Sequence, residues 1–555
     1  MTNLSKCSGV STPQEERECK RERFTRIASS CGTRLACLLI LLLLSGASVS
    51  AQTYQDLYEF NGTGGGCCPQ YPAVMAQGRD GNIYGTTATG GTNNVGIAFK
   101  ITPTGSFTVL RNFDTTHGST PVGGLVLGTD GNLYGTTEFG GAHSYGNIFK
   151  ITPAGVLTVL YDFTGNADGG LTVAPLIVGT DGNFYGTSYP GVAFRISAQG
   201  VFKVIGKIPT VSYAPLLQAD DGAFYGVTQF GGTYSAGTIY KIVGTKITTL
   251  YSFDGPHGAY PIGGLVQAVD GNLYGTTTSG GSSNAGVIFR ITTTGALTVL
   301  VNLDSKDPIG GYQADAGLVA GSDGNLYGAT VWGGTDVYGT IFQMSTSGSY
   351  SVLHNFDAPF GAGAYSTPMQ HTSGRIFGMT ARGGTPGKGV VYSLDNGVAP
   401  FVLLTSRIGT VGKSVGILGS GFSGTTSVMF NGTPATFRVV NDTYLTAKVP
   451  AGETGFVRVI TPSVSLVSSK VFKVTPKITG FTPGSGPVGT TVTVTGSGLI
   501  QTLKITVGGV QVVSFIVSSD TQLTFRVPSG AKSGKIVITT SGGKATSSQA
   551  FTVTS

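Results

Sequence analysis

One phrase constrains this chain more than any other property: Asp-Gly-Asn-apolar-Tyr-Gly-Thr-Thr recurs along it. Copies begin at Asp80, Asp130, Asp181, Asp221 (as Asp-Gly-Ala-Phe-Tyr-Gly), Asp270 and Asp323, and a worn seventh reads Ser373-Gly374-Arg375-Ile376-Phe377-Gly378. The intervals are 50, 51, 40, 49, 53 and 50 residues. A Gly-Gly pair follows most copies, as at Gly140-Gly141 and Gly333-Gly334. Next come a Gly-x-apolar-aromatic run such as Gly146–Phe149, a turn like Thr152-Pro153-Ala154-Gly155, and a run like Leu157–Phe163. Each unit therefore reads as four short strands, a to d. The Asp-Gly turn joins a to b, because Gly reaches positive φ without steric cost. Fixed-period self-similarity of this length marks a stacked-repeat architecture.

Four antiparallel strands in about 50 residues match one propeller blade. A lone unit cannot bury both sheet faces, so neighbours must supply the core. Seven copies predict an all-β chain with a seven-bladed β-propeller over 52–395. Tyr54–Phe60 matches the d-strand phrase of Leu110–Phe113 and Leu250–Phe253, while the last copy runs into Asp395-Asn396-Gly397 without a clear d strand. The N-terminal strand is therefore expected to complete blade seven and leave no open edge.

Residues 396–475 and 476–555 repeat each other. Gly419-Ser420-Gly421-Phe422 and Val449-Pro450-Ala451-Gly452 answer to Gly496-Ser497-Gly498-Leu499 and Val527-Pro528-Ser529-Gly530. Short strands with turn signals over about 80 residues predict two immunoglobulin-like β-sandwiches lacking the Cys pair. Few contacts are expected across the short linker near Asn396.

Residues 1–51 read as a secretory signal: Arg34, the apolar run Leu35–Leu44, then Val49-Ser50-Ala51, with cleavage between Ala51 and Gln52. Ten apolar residues are about half of a bilayer span, so no membrane anchor is expected. The signal carries seven Lys/Arg and four Glu away, leaving 27 basic and 23 acidic residues. A charge of +4 over 504 residues gives no electrostatic footprint for nucleic acid. Of six cysteines only Cys67 and Cys68 remain, which excludes a disulfide framework. A vicinal disulfide fits an exported chain; two thiols or an intermolecular link are the alternatives.

Residues 53–394 resemble the GloVer tandem-repeat family of exported bacterial proteins, whose members carry varied C-terminal anchoring segments. The departures are the third copy, with Thr187-Ser188-Tyr189-Pro190-Gly191 in place of Gly-Gly, and the worn seventh. Both C-terminal segments resemble IPT/TIG domains. The first resemblance implies no enzymatic activity, and the second implies spacers or adhesive modules.

No catalytic constellation stands out. Gly412-Lys413-Ser414-Val415-Gly416 fits G-x-S-x-G, but it enters a β-strand, whereas a nucleophile elbow needs a strand-to-helix turn. His117, His143, His257, His354 and His371 lack metal-ligand spacing, and the Asp of each Asp-Gly-Asn reads as a turn cap rather than a calcium ligand. No cofactor is expected. The residue before Gly-Gly in the b-to-c loop does vary: Thr89, Phe139, Phe230, Ser279, Trp332 and Arg382, with Tyr189 nearby in the third copy. The b-to-c and d-to-a loops should share one face. Phe139, Tyr189, Phe230 and Trp332 are the candidate ligand-binding residues there, for an extracellular glycan or surface protein. Large aromatics are buried on average, so inter-blade packing is the stronger expectation for Phe139, Phe230 and Trp332. The contrasting function is a carbohydrate-active enzyme, lyase or glycosidase, on that face.

Overall fold

The computed structural model describes residues 52–69, 73–307 and 310–555; the signal reading of 1–51 lies outside the described residues. The only helical segments described are two short 3₁₀ turns, Ala358–Phe360 and Phe422–Gly424. Among the described residues no helix is long and apolar enough to cross a membrane.

Each repeat forms a four-stranded antiparallel sheet, and there are seven. The second is typical: Leu125–Leu127, Leu133–Thr136, Asn147–Ile151 and Leu157–Asp162, paired in sequence order. The Asp-Gly-Asn phrase ties the first hairpin. Asp130 accepts from the Asn132 side chain at 2.6 Å and from the Tyr134 hydroxyl at 2.8 Å, while Gly131 takes φ +92°. The carboxylate–tyrosine bond recurs at Asp80, Asp181, Asp221, Asp270 and Asp323. Burial pushes the Asp130 pKa up, but the bonds from Asn132 and Tyr134 outweigh it and the net shift is downward. The repeated aspartate thus closes a turn on its own repeat.

The seventh sheet draws on both ends of the repeat region. Its own strands Met369–Gln370, Ile376–Met379 and Val390–Asp395 are completed by Thr53–Glu59, which pairs antiparallel with Val390–Asp395. Here Arg375 to Asp395, at 3.2 Å, links strands that elsewhere follow the Asp–Tyr clamp.

The core lies between sheets. Phe163 and Tyr134 of the second sheet pack with Phe184 and Phe194 of the third. Equivalent clusters join every consecutive pair, and another joins Phe60, Phe377 and Val391 of the seventh sheet to Ile83 and Phe99 of the first. Glutamines at the ends of a strands add polar stitches. Gln218, Gln267 and Gln370 each accept from a backbone amide of the preceding sheet at 2.8 Å, and Gln77 accepts from Thr372 at 3.0 Å. The a strands of all seven sheets line one largely apolar cavity of about 620 Å³.

The first C-terminal segment forms two four-stranded sheets and a parallel pair, Ile408–Thr410 with Lys473–Thr475, and the second forms a four- and a five-stranded sheet. Val415, Ile417, Phe430, Val459 and Phe472 fill the first, and Val494, Ile505, Phe525, Ile538 and Phe551 the second. Contrary to the sparse linker expected near Asn396, the first sandwich docks on the a-to-b turns of the repeats. Thr443 donates to the Arg79 carbonyl at 2.8 Å, and the Arg79 guanidinium lies 4.5 Å from the Tyr444 ring. Arg407 pairs with Asp220 at 3.3 Å, Lys473 donates to the Asp220 carbonyl, and Lys470 to that of Gln267. Phe401 and Leu404 of this segment also line the cavity.

Candidate functional site

The opposite side is built by the b-to-c and d-to-a loops. In most repeats the residue before Gly-Gly forms a single β-bridge to the d-to-a loop: Cys67–Thr89, Ser119–Phe139, Ala259–Ser279 and Ala362–Arg382. Tyr189 forms the same bridge to Gly170, and Trp332 pairs with Tyr312. The next residue on the d-to-a side then adopts left-handed backbone, as at Cys68, Thr120, Leu171, Tyr260 and Gln313. That conformation is uncommon outside glycine. Each of these amides donates to a b-to-c carbonyl of the preceding repeat: Thr120 to Val95, Leu171 to Tyr145, Tyr260 to Ala236, Gln313 to Ala285, and Cys68 to Lys388. The loops are therefore stitched through backbone, and a bridge-position side chain is free to vary. Cys67 and Cys68 are joined by a disulfide within this network.

Phe139, Tyr189 and Phe230 are 43%, 52% and 49% exposed, so Phe139 and Phe230 are not the inter-sheet packing expected of large aromatics. The reason is local: the bridge holds the Phe139 backbone at the loop rim, and neither ring belongs to a cluster between sheets. Phe230 keeps one edge-to-face partner, Tyr260, at 5.7 Å. Trp332 is half-buried, with the Arg382 guanidinium 5.4 Å from its ring. The four candidates sit on four different repeats and do not converge on a single point.

Trp332 and Arg382 do converge. With Tyr338, Ala358, Ala362 and the glycines Gly383 and Gly384 they line a cleft of about 480 Å³ between the loops of the sixth and seventh repeats. The exposed Tyr145, Tyr234, Tyr260, Tyr338 and Phe360 on the same loops were not among the sequence candidates. A usable signal existed for two of them, since Tyr145 and Tyr338 each directly precede the glycine that opens strand c.

Among the described residues no three His, Cys, Asp or Glu side chains cluster as metal ligands. His117 and His257 are each held by their own loop aspartates, Asp114 and Asp254. Ser414 opens the strand Ser414–Leu418. Asp315, on the d-to-a loop before the sixth sheet, is buried, and that burial raises its pKa to about 6; Gln313 donates to it at 3.1 Å.

The Gloeobacter/Verrucomicrobia repeat matches residues 45–202 and 209–434, and the IPT/TIG domain matches 402–471 and 476–554. The first match spans more than half of the chain, which belongs to that repeat family. A comparison with curated proteins gives no match. Among solved structures the chain is similar to a fungal alcohol oxidase of the AA5 family in complex with copper, at 16% identity and TM-score 0.45, covering 77% of this chain and 100% of that one. It is also similar to SGBP-B from a xyloglucan utilization locus of Bacteroides uniformis, at 25% identity and TM-score 0.15, covering 27% of this chain and 48% of that one. A surface glycan-binding protein of Prevotella bryantii gives 17% identity and TM-score 0.21, covering 28% and 39%. The chain thus spans half or less of those two proteins, and at these TM-scores none of the three likenesses bears on function.

Proposed function

We propose that this member of the Gloeobacter/Verrucomicrobia repeat family is an exported, non-catalytic recognition protein that binds glycan through its b-to-c and d-to-a loops. Its seven sheets act as blades of a closed seven-bladed β-propeller, with the seventh shared between both ends of the repeat region. The two IPT/TIG domains serve as a cap and spacer on the other side. One observation carries the reading: exposed aromatics gather on the loop side, while the turn side is occupied by the first IPT/TIG domain. Aromatic faces above a rigid scaffold suit stacking against the C–H faces of sugar rings, and variable loops on such a scaffold are where binding tends to sit.

The test is a glycan array followed by titration of each hit against wild type, Trp332→Ala and a triple Phe139→Ala, Tyr189→Ala, Phe230→Ala variant. Trp332 is the only Trp in the chain, so its emission reports on one loop. Binding that is lost in these variants at unchanged melting temperature supports the reading. Binding that survives both variants, or turnover of a bound polysaccharide, refutes it.

A further inference from the structure

The cleft between the sixth and seventh repeats sets a cation against an indole ring. Arg111, Arg195, Arg375 and Arg407 each pair with an aspartate, but among the described residues no carboxylate pairs with Arg382. The acids of the adjoining loops are engaged locally. Glu59 accepts from the Thr385 amide at 2.9 Å, and Asp357 from the Phe360 amide at 3.1 Å. Arg382 is exposed, yet its backbone is fixed by two hydrogen bonds with Ala362, at 2.8 and 3.0 Å. The Trp332 ring beneath it supplies a cation–π surface that keeps the guanidinium from ranging freely. The glycines Gly383 and Gly384 leave the cleft floor without side chains, and Tyr338, 38% exposed, stands on its wall.

We infer that this Trp332–Arg382–Tyr338 cleft takes a carboxylate-bearing sugar, a uronic acid residue of an acidic polysaccharide, in preference to its neutral counterpart. The inference rests on the glycan reading above and sharpens it. A uronate carries a planar carboxylate on a ring whose C–H faces are apolar. The guanidinium edge offers paired N–H donors that match the two carboxylate oxygens. Trp332 and Tyr338 offer faces for the ring itself. A volume of about 480 Å³ falls in the range of small-molecule sites and accommodates a short stretch of chain. A neutral hexose would use the aromatic surfaces and leave the cation unanswered.

The experiment uses the full exported chain and three probes: polygalacturonate, the same polymer fully methyl-esterified, and dextran sulfate. Wild type is expected to bind polygalacturonate roughly tenfold or more tighter than the esterified polymer, the scale of one charge-assisted hydrogen-bonded contact. Arg382→Gln should abolish that ratio at unchanged melting temperature. Arg382→Lys should keep only part of the ratio, because an ammonium lacks the planar fork. Equal binding of both pectins by wild type, with binding lost in Trp332→Ala, overturns the uronate inference and leaves glycan recognition standing. Dextran sulfate binding as tightly as polygalacturonate, with the same dependence on Arg382, overturns the carboxylate assignment in favour of a general polyanion cleft. If neither these probes nor any arrayed glycan binds, the glycan reading itself falls.

Discussion

Replacing Phe60 by Ala tests whether the N-terminal strand is a full member of the seventh sheet. Phe60 is fully buried and sits edge-on to Phe99 of the first sheet at 5.9 Å and to Tyr58 at 5.5 Å. Its amide donates to the Gly389 carbonyl at 2.9 Å. Phe163 offers a matched control inside the repeat array: fully buried, edge-on to Phe194 at 5.6 Å and to Tyr161 at 5.5 Å. Deleting a buried phenyl ring costs about 3–5 kcal/mol through lost transfer energy and the residual cavity. Both variants should therefore lose about 4 kcal/mol, because both rings lie between two packed sheets. Denaturant unfolding of the full chain, followed by Trp332 emission and far-UV circular dichroism, measures the shift. Hydrogen exchange adds a local reading at Val390–Asp395, the strand paired with Thr53–Glu59. If Phe60→Ala moves the transition by less than about 1 kcal/mol while Phe163→Ala costs its full amount, the strand frays independently and the shared-sheet argument is refuted.

Further outcomes follow from the same packing. Tyr134→Phe should cost on the order of 1 kcal/mol by removing the hydroxyl that Asp130 accepts, and a change near zero in thermal melts would show the clamp to be ornamental. Asp315→Asn should stabilise the chain above pH 6 and not below pH 4. Its folded pKa of about 6 lies above the unfolded value, so native stability falls as pH rises between those limits, by at most on the order of 3 kcal/mol; a wild-type pH profile unchanged by the substitution would contradict this. Asp220→Ala removes the carboxylate facing Arg407 and Lys473 and should speed proteolysis near residues 396–400, whereas an unchanged cleavage rate would place the docking strength in the Arg79–Tyr444–Thr443 contact instead.

The repeat, its turn phrase and the strand missing from the last copy were legible because each is a local pattern repeated many times. Any one copy of Asp-Gly-x-apolar-Tyr predicts its own hairpin, and six copies agree. The docking of the first IPT/TIG domain was not legible. Arg407 and Asp220 lie 187 residues apart in a chain of scattered single charges, and nothing local marks them as partners. The glutamine stitches were hidden for a related reason. Gln77, Gln218, Gln267 and Gln370 hold equivalent positions, but Leu127, Val178 and Ala320 replace them in the other repeats, so no unbroken pattern announces the bond. The exposure of Phe139 and Phe230 was misjudged from average aromatic burial; at Phe139 the β-bridge that fixes the backbone makes no demand on the side chain.

That last point explains how a repetitive scaffold can hold a specific site. At the bridge position, selection for folding acts on the backbone pairing and on the left-handed residue across from it, both indifferent to what the variable side chain is. Thr89, Phe139, Tyr189, Ser279, Trp332 and Arg382 all satisfy the same bridge. Framework positions such as Tyr84, Tyr134 and Tyr274 have no such freedom, since each ring is packed between sheets and each hydroxyl is claimed by its own turn. Diversity at this position is thereby confined to one rim, where a substitution changes the surface at little cost to the bridge. The sixth and seventh repeats use that freedom in adjacent positions, setting an indole and a guanidinium side by side. A ligand that reads both must span the two repeats, so its affinity depends on the sheet that the N-terminal strand completes.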